Sequence, residues 1–270
     1  MKKVVTLLIN VTQLENFYSG TELGQTVSQS LANQINLVWP DPVGGTVVGY
    51  GFASPVLNRF IAQNERVINL IPQQLGINYW PSNQANKNVQ TIESNWPLPS
   101  SGIERVVIMH GLEISNNYSN PLNECWRILA PEGQLILVVP NKIGLFSSNK
   151  AVPFNCSWKS SGFTLKKVRQ LLINHKFQVM DHYPALFAPL GAKGISGQLT
   201  RFFESACRSY SMNLGSVIIV VARKRIFLRQ NPGIGEAVKS GIEILKGAKV
   251  PNPKPATRTT RKTLNLSPIK

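Results

Sequence analysis

Thr46-Val47-Val48-Gly49-Tyr50-Gly51-Phe52-Ala53-Ser54-Pro55-Val56-Leu57-Asn58-Arg59-Phe60 continues through Ile61-Ala62-Gln63-Asn64-Glu65 to Arg66-Val67-Ile68-Asn69-Leu70-Ile71-Pro72. A short apolar strand, about Thr46–Gly49, runs into Gly49-Tyr50-Gly51. A helix over about Ser54–Gln63 follows; Pro55 suits its first turn, where the missing N–H costs nothing. A second apolar strand, about Arg66–Ile71, stops at Pro72. This order is the opening β-α-β of a nucleotide- or cofactor-binding α/β domain. The two glycines let the backbone turn sharply at the strand end and let a ligand approach the main chain. An ordinary strand-to-helix turn explains a lone Gly-x-Gly equally well.

The same alternation extends outward. Upstream, Phe17, Leu23, Val27, Leu31, Ile35 and Val38 recur at helical spacing and predict one helix over residues 12–38. Trp39-Pro40-Asp41-Pro42 then breaks the chain. Downstream, Val89–Glu93 reads as a third strand and Trp96-Pro97-Leu98-Pro99 as a rigid link. Arg105–Met109 is a continuous apolar run, as expected of a strand covered on both faces. Tyr118–Leu129 reads as a helix, Pro131-Glu132-Gly133 as a turn and Gln134–Pro140 as the next buried strand. Thr164 is the expected N-cap of a helix reaching about Asn174. Phe177–Met180 and Gly215–Ala222 complete the strands. The expected fold is a Rossmann-like α/β domain, with a mostly parallel central sheet and helices on both faces.

Charge divides the chain. Residues 1–133 hold 7 Lys+Arg against 9 Asp+Glu, and residues 134–270 hold 22 against 4, so −2 and +18 make up the net +16. A basic back half suits an anionic partner, nucleic acid among them, or is simply a solvated surface. Lys142, Lys150, Lys159, Lys166, Lys167 and Arg169 interleave with Phe146, Phe154, Trp158 and Phe163. That pattern fits phosphates with stacked rings, and equally a lid over a substrate. Cys125, Cys156 and Cys207 are too few and too scattered for a disulfide framework or metal site, which fits a cytoplasmic protein. No apolar run reaches the ~18 residues of a membrane span. The opening Met1–Val11 has two lysines and a short apolar run but no small-x-small cleavage site after it. It reads as an amphipathic lead-in.

Four blocks resemble the class I S-adenosylmethionine-dependent methyltransferases of the type-11 group. They are Val47-Val48-Gly49-Tyr50-Gly51; Trp96-Pro97-Leu98-Pro99 with Ile103-Glu104-Arg105-Val106; Leu112-Glu113; and Glu124-Cys125-Trp126-Arg127-Ile128-Leu129-Ala130-Pro131-Glu132-Gly133-Gln134-Leu135. The last block is the most specific, and its wording is similar to a divergent bacterial branch. The resemblance implies S-adenosyl-L-methionine as cofactor and a methyl acceptor that it does not identify. It implies cofactor contacts from Gly49, Tyr50, Gly51, Asn69, Glu93 and Trp96. Asn69 is the nearest polar group to the family's strand-two acid, which is missing here, and Asn69→Asp is then expected to tighten binding. Of three acidic anchors only Glu93 remains. Losing two charge-assisted hydrogen bonds at ~1.5–3 kcal/mol each weakens binding by roughly 10²–10⁴-fold. The alternative is a methyltransferase fold that has lost its chemistry and binds nucleic acid or protein through its basic half.

His110 ends the fourth strand, on the side where open α/β sheets bind ligands. It is the candidate general base, with Glu113 placed to orient it or to face the methyl donor; a partly buried, hydrogen-bonded histidine and a helix-start carboxylate are the plainer roles. Asn141 is a candidate substrate-facing amide, while His175 and His182 read as surface groups. The expected organisation is a methyltransferase-like domain over residues 1–224, with substrate or lid insertions over 142–214. Residues 225–270 form a basic, largely disordered tail with one short helix, Ala237–Lys246. Ending the chain at Lys224 should leave the melting temperature within about 3 °C, since the tail offers little apolar surface to repay its ordering. A scanning-calorimetry comparison with the full chain checks this, and a large drop would mean that Ala237–Lys246 packs on the domain.

Overall fold

The computed structural model describes residues 10–40, 45–63, 66–144, 162–186 and 215–225. The opening run, most of the expected lid, Cys156, Cys207 and the basic tail beyond Arg225 lie outside them. Among the described residues seven strands form one sheet: β1 (Thr46–Gly51), β2 (Arg66–Pro72), β3 (Asn88–Thr91), β4 (Ile103–Met109), β5 (Leu129–Pro140), β6 (Phe177–Ala185) and β7 (Val217–Lys224), in the order β3-β2-β1-β4-β5-β7-β6. The first five are mutually parallel, and β7 lies antiparallel between β5 and β6. The expected α/β class is therefore found. The α-helices of the described residues are α1 (Val11–Tyr18), α2 (Glu22–Val38), α3 (Ser54–Ala62), α4 (Ser119–Ile128) and α5 (Leu165–Asn174), with Thr164 capping α5 through Lys167 N–H. Residues 165–185 of the expected substrate region thus form α5 and β6.

The strands are apolar on both sides because both sides are covered. Val47, Val107, Met109 and Ile136 pack under α1, α2 and α3, with Leu14, Leu31, Ile35, Leu57 and Phe60. Val48, Val106, Ile108 and Leu135 face Leu122 and Cys125 of α4 and Val168 and Leu172 of α5. This is the period-two alternation of a strand read between two layers. Each such aliphatic side chain stabilises the fold by about 1.5–3 kcal/mol. Cys125 is an ordinary member of this core, and burial pushes its thiol pKa up.

Three local features depart from expectation. The helix over 12–38 is two helices, because Ser19-Gly20-Thr21 breaks it. Thr21 caps α2 by accepting from Gly24 N–H, and its hydroxyl donates to Phe17 O. The two helices meet so closely that a side chain on Gly24 would stand 1.9 Å from Phe17 O. Pro131-Glu132-Gly133 is not a turn before a strand but a bulge inside β5. Ile103 pairs with Leu129 and Arg105 with Gln134, and Glu132 takes φ 61°. β6 runs five residues beyond Met180, because β7 pairs with it as far as Ala185.

The specific Glu124–Leu135 block is explained by packing. Glu124 Oε2 accepts from Trp96 N–H at 2.7 Å. Arg127 reaches the carbonyls of Trp96 and Leu98, both at 2.8 Å, and Glu124 at 2.7 and 2.9 Å. One helix thus ties down the proline-rich link that feeds β4. Burial raises the Glu124 pKa, but the Arg127 and Trp96 hydrogen bonds outweigh it and hold the carboxyl below its ordinary value of 4.5. A depressed carboxyl contributes stability that is present above the unfolded value and lost as pH falls through the folded one. Arg127→Leu should lower stability by about 2–3 kcal/mol. Glu124→Gln should remove the part of the acid-side stability loss that begins below about pH 4.5. Urea melts at neutral and acid pH test both, and an Arg127 variant as stable as the parent contradicts the clamp.

Candidate functional site

The chain passes from β1 out to β2 and β3, then returns to place β4 on the other side of β1. That reversal is the switch point at which open α/β sheets hold ligands. Gly51 pairs with Met109 there and takes φ 90°. A Cβ on Gly51 would stand 2.2 Å from Met109 O, and one on Gly49 would stand 2.5 Å from Leu57 and 2.6 Å from Asn69 Oδ1. The contacts that demand glycine at both positions are therefore the protein's own. Phe52 N–H then donates to Met109 O, and Ala53 starts α3.

Beside this turn opens a cleft of about 650 Å³, within the range of small-molecule sites. Phe52, Ser54 and Asn58 form one wall, Tyr18 of α1 another, and Tyr79 and Trp80 a third. The N-terminus of α3 has no side-chain cap. Its positive dipole end and the Ser54 N–H lie at the cleft and suit an anion such as a carboxylate, whereas Pro55 has no N–H and Val56 N–H donates to Ala53 O. None of the predicted cofactor contacts Gly49, Tyr50, Gly51, Asn69, Glu93 and Trp96 lines this cleft, nor do His110 and Glu113; Phe52 and the expected helix start at Ser54 and Pro55, which follow Gly51, do.

His110 sits just past β4 in the left-handed region, φ 55°, and is buried. Its Nε2 is 2.6 Å from the Tyr18 hydroxyl, and its Nδ1 is 3.2 Å from Glu113 Oε1. The structure thus brings the two predicted residues together and adds Tyr18. The periodicity of Val11, Leu14, Phe17 and Tyr18 marks Tyr18 as inward-facing, but nothing in the sequence pairs it with a residue 92 positions away.

Of the other predicted contacts, Glu93 and the Asn69 amide nitrogen are committed within the protein, while Asn69 Oδ1 is buried without a hydrogen-bond partner among the described residues. Glu93 is buried and accepts from Gln74 at 3.0 Å and from the Ser115 hydroxyl at 2.8 Å. Asn69 is fully buried; its Nδ2 donates to Asn88 Oδ1, and Asn88 in turn donates to Asn78. Tyr50 and Trp96 stack at 4.5 Å, and the Tyr50 hydroxyl and Trp96 Nε1 have no hydrogen-bond partner. Burial first, and then the Glu93 charge, raise the Tyr50 pKa.

Several secondary readings change. Asn141 is buried and its Nδ2 donates to Gly215 O. His175 and His182 are half-buried rather than surface groups, and His175 Nδ1 lies 2.7 Å from Leu171 O. Phe163 is fully buried, so its ring is no stacking platform, and the Lys167 ammonium lies over Tyr118 and Phe163. Lys142, Lys166 and Arg169 are exposed. Among the described residues no helix is long and apolar enough to cross a membrane.

The chain matches no family model and no curated protein sequence. Its fold is similar to those of solved S-adenosylmethionine-dependent methyltransferases. One, from Thermotoga maritima, has a TM-score of 0.55 at 13% identity over 80% of this chain and 96% of that one. Another, from Aquifex aeolicus, has a TM-score of 0.50 at 10% identity over 79% and 97%. The [4+2]-cyclase SpnF shares the fold at a TM-score of 0.51 and 15% identity over 80% and 93%. At these identities the likeness establishes a Rossmann-like methyltransferase fold, and chemistry has to be argued from the site.

The burial of Asn69 reverses the expectation for Asn69→Asp. A carboxylate there would lose the donor to Asn88 and set a buried charge against Asn88 Oδ1. The variant should lose about 2–4 kcal/mol of stability and gain no affinity for S-adenosylmethionine. Thermal melts with and without ligand read both quantities, and an equally stable, tighter-binding variant contradicts this placement.

Proposed function

We propose that the chain is an S-adenosylmethionine-dependent methyltransferase of the type-11 kind, from a divergent bacterial branch, acting in the cytoplasm. The observation that carries the reading is the position of the cleft. It opens at the switch point of a methyltransferase fold, between the uncapped start of α3 and the Tyr18–His110–Glu113 cluster. The residues present fit the cofactor at its amino-acid end, where the Ala53 and Ser54 N–H groups at the uncapped start of α3 would hold the carboxylate. Asn78, Tyr79 and Ser82 would offer neutral donors and acceptors to the ribose in place of the strand-two acid. Asn69 braces Asn78 of the lining through Asn88, and Glu93 is held by Gln74 and Ser115. When bound, the cofactor supplies an electrophilic methyl group. Phe52 and Trp80, both buried, exclude water from the aromatic side of the cleft, and the histidine cluster manages the acceptor's proton. The catalytic domain runs to about residue 224, with the basic tail beyond it.

Neutral groups in place of two carboxylates leave the site weaker than an acid-bearing relative, by roughly 10²–10⁴-fold. Calorimetric titration of the full chain with S-adenosylmethionine and with S-adenosylhomocysteine should show one saturable site for each. No heat and no saturation-transfer contact at millimolar ligand would remove the enzyme reading.

A further inference from the structure

Glu113 is the least satisfied group near the cleft. Its side chain is 5% exposed, yet neither carboxylate oxygen accepts a hydrogen bond. The 3.2 Å approach of His110 Nδ1 is ion-pair distance without hydrogen-bond alignment. A buried carboxylate without donors is costly unless a cation stands beside it. His110, once protonated, is that cation. The strained φ of 55° that holds the ring in place persists only because the surroundings enforce it. The pair is therefore arranged for a proton to arrive on His110.

Tyr18 offers that proton a route. Tyr18 Oη sits 2.6 Å from Nε2, and Glu113 faces Nδ1, so both ring nitrogens are engaged. Tyr18 in turn lines the cleft, with its ring stacked on Phe52 at 5.7 Å. A molecule in the cleft thus meets the phenol before the imidazole. We propose that Tyr18 is the proton-transfer residue of the cleft: its Oη takes a proton from an acceptor O–H or N–H while its own phenol proton passes to His110 Nε2.

The transfer balances. The acceptor keeps the electron pair of the broken O–H or N–H bond, and Tyr18 ends neutral. His110 ends as an imidazolium against the Glu113 carboxylate. The relay resets when the proton returns through the same phenol to water in the emptied cleft. A standing phenolate is no part of this, since burial and then the Glu113 charge raise the Tyr18 pKa. The two proton movements therefore go together. The acceptor class that gains is a protonated nucleophile such as a phenol; a pyridine nitrogen, with no proton to lose, gains nothing. The choice of acceptor rests on the methyl-transfer reading, whereas the relay itself does not.

The test uses the full chain with ¹⁵N-labelled histidine, His110 being assigned by His110→Gln. At about pH 8, where an imidazole is ordinarily neutral, the proton should be on Nδ1 and Nε2 should carry none. A proton on Nε2 overturns the proposal, because Tyr18 would then be the acceptor of that hydrogen bond. Methylation assays with S-adenosylmethionine give the second readout. Tyr18→Phe should slow transfer to phenol by about 10²–10⁴-fold while changing transfer to pyridine by no more than about two-fold. Equal losses for both acceptors overturn the proposal, since Tyr18 would then only pin α1 to the sheet. Absence of cofactor binding by the parent protein counts against the methyl-transfer reading, and the tautomer still decides the relay.

Discussion

The close approach of β1 to β4 at Gly51 is the constraint from which the site follows. With only 2.2 Å between a would-be Cβ and Met109 O, no other residue fits without moving a strand. That contact lets Phe52 continue the ladder onto Met109 and releases the chain into α3 at Ala53. On the facing strand it sets the point at which β4 ends and His110 turns into the left-handed region. The start of α3 and the His110–Glu113 pair therefore arrive at one edge of the sheet, and α1 closes over them through Tyr18.

The same structure separates motif from chemistry. The Glu124–Leu135 block is the most specific wording in the chain, yet its charged pair fastens the Trp96–Leu98 link and its Pro-Glu-Gly is a bulge. Glu93, the acid expected to face a cofactor, holds Gln74 and Ser115. A short motif can thus persist as scaffold while the groups at the cleft differ.

The layer architecture was legible in the sequence because its signal is local. Val47/Val48 and Val106/Val107 alternate between two covered faces, and Thr164 announces the start of its helix. The break at Ser19-Gly20-Thr21 was missed because the apolar spacing runs on across it, while the cap that ends one helix and begins the next is a single hydroxyl. Asn69 looked like a ligand group because its partner, Asn88, belongs to a neighbouring strand. His110 and Glu113 were legible as a pair three residues apart. Tyr18 was not, because its contact is made by packing α1 against the far end of β4. Local periodicity carries element type, and long-range pairing carries the site.

Hydrogen–deuterium exchange of the full chain, with and without S-adenosylhomocysteine, tests the central claim most directly, since it shows where a cofactor settles without needing an acceptor. Ligand placed at the switch point should slow exchange in three segments: the Phe52–Leu57 turn and helix start, the His110–Ser115 segment, and α1 around Tyr18. Protection confined to the β6–β7 end of the sheet, or no protection at saturating ligand, would contradict the account.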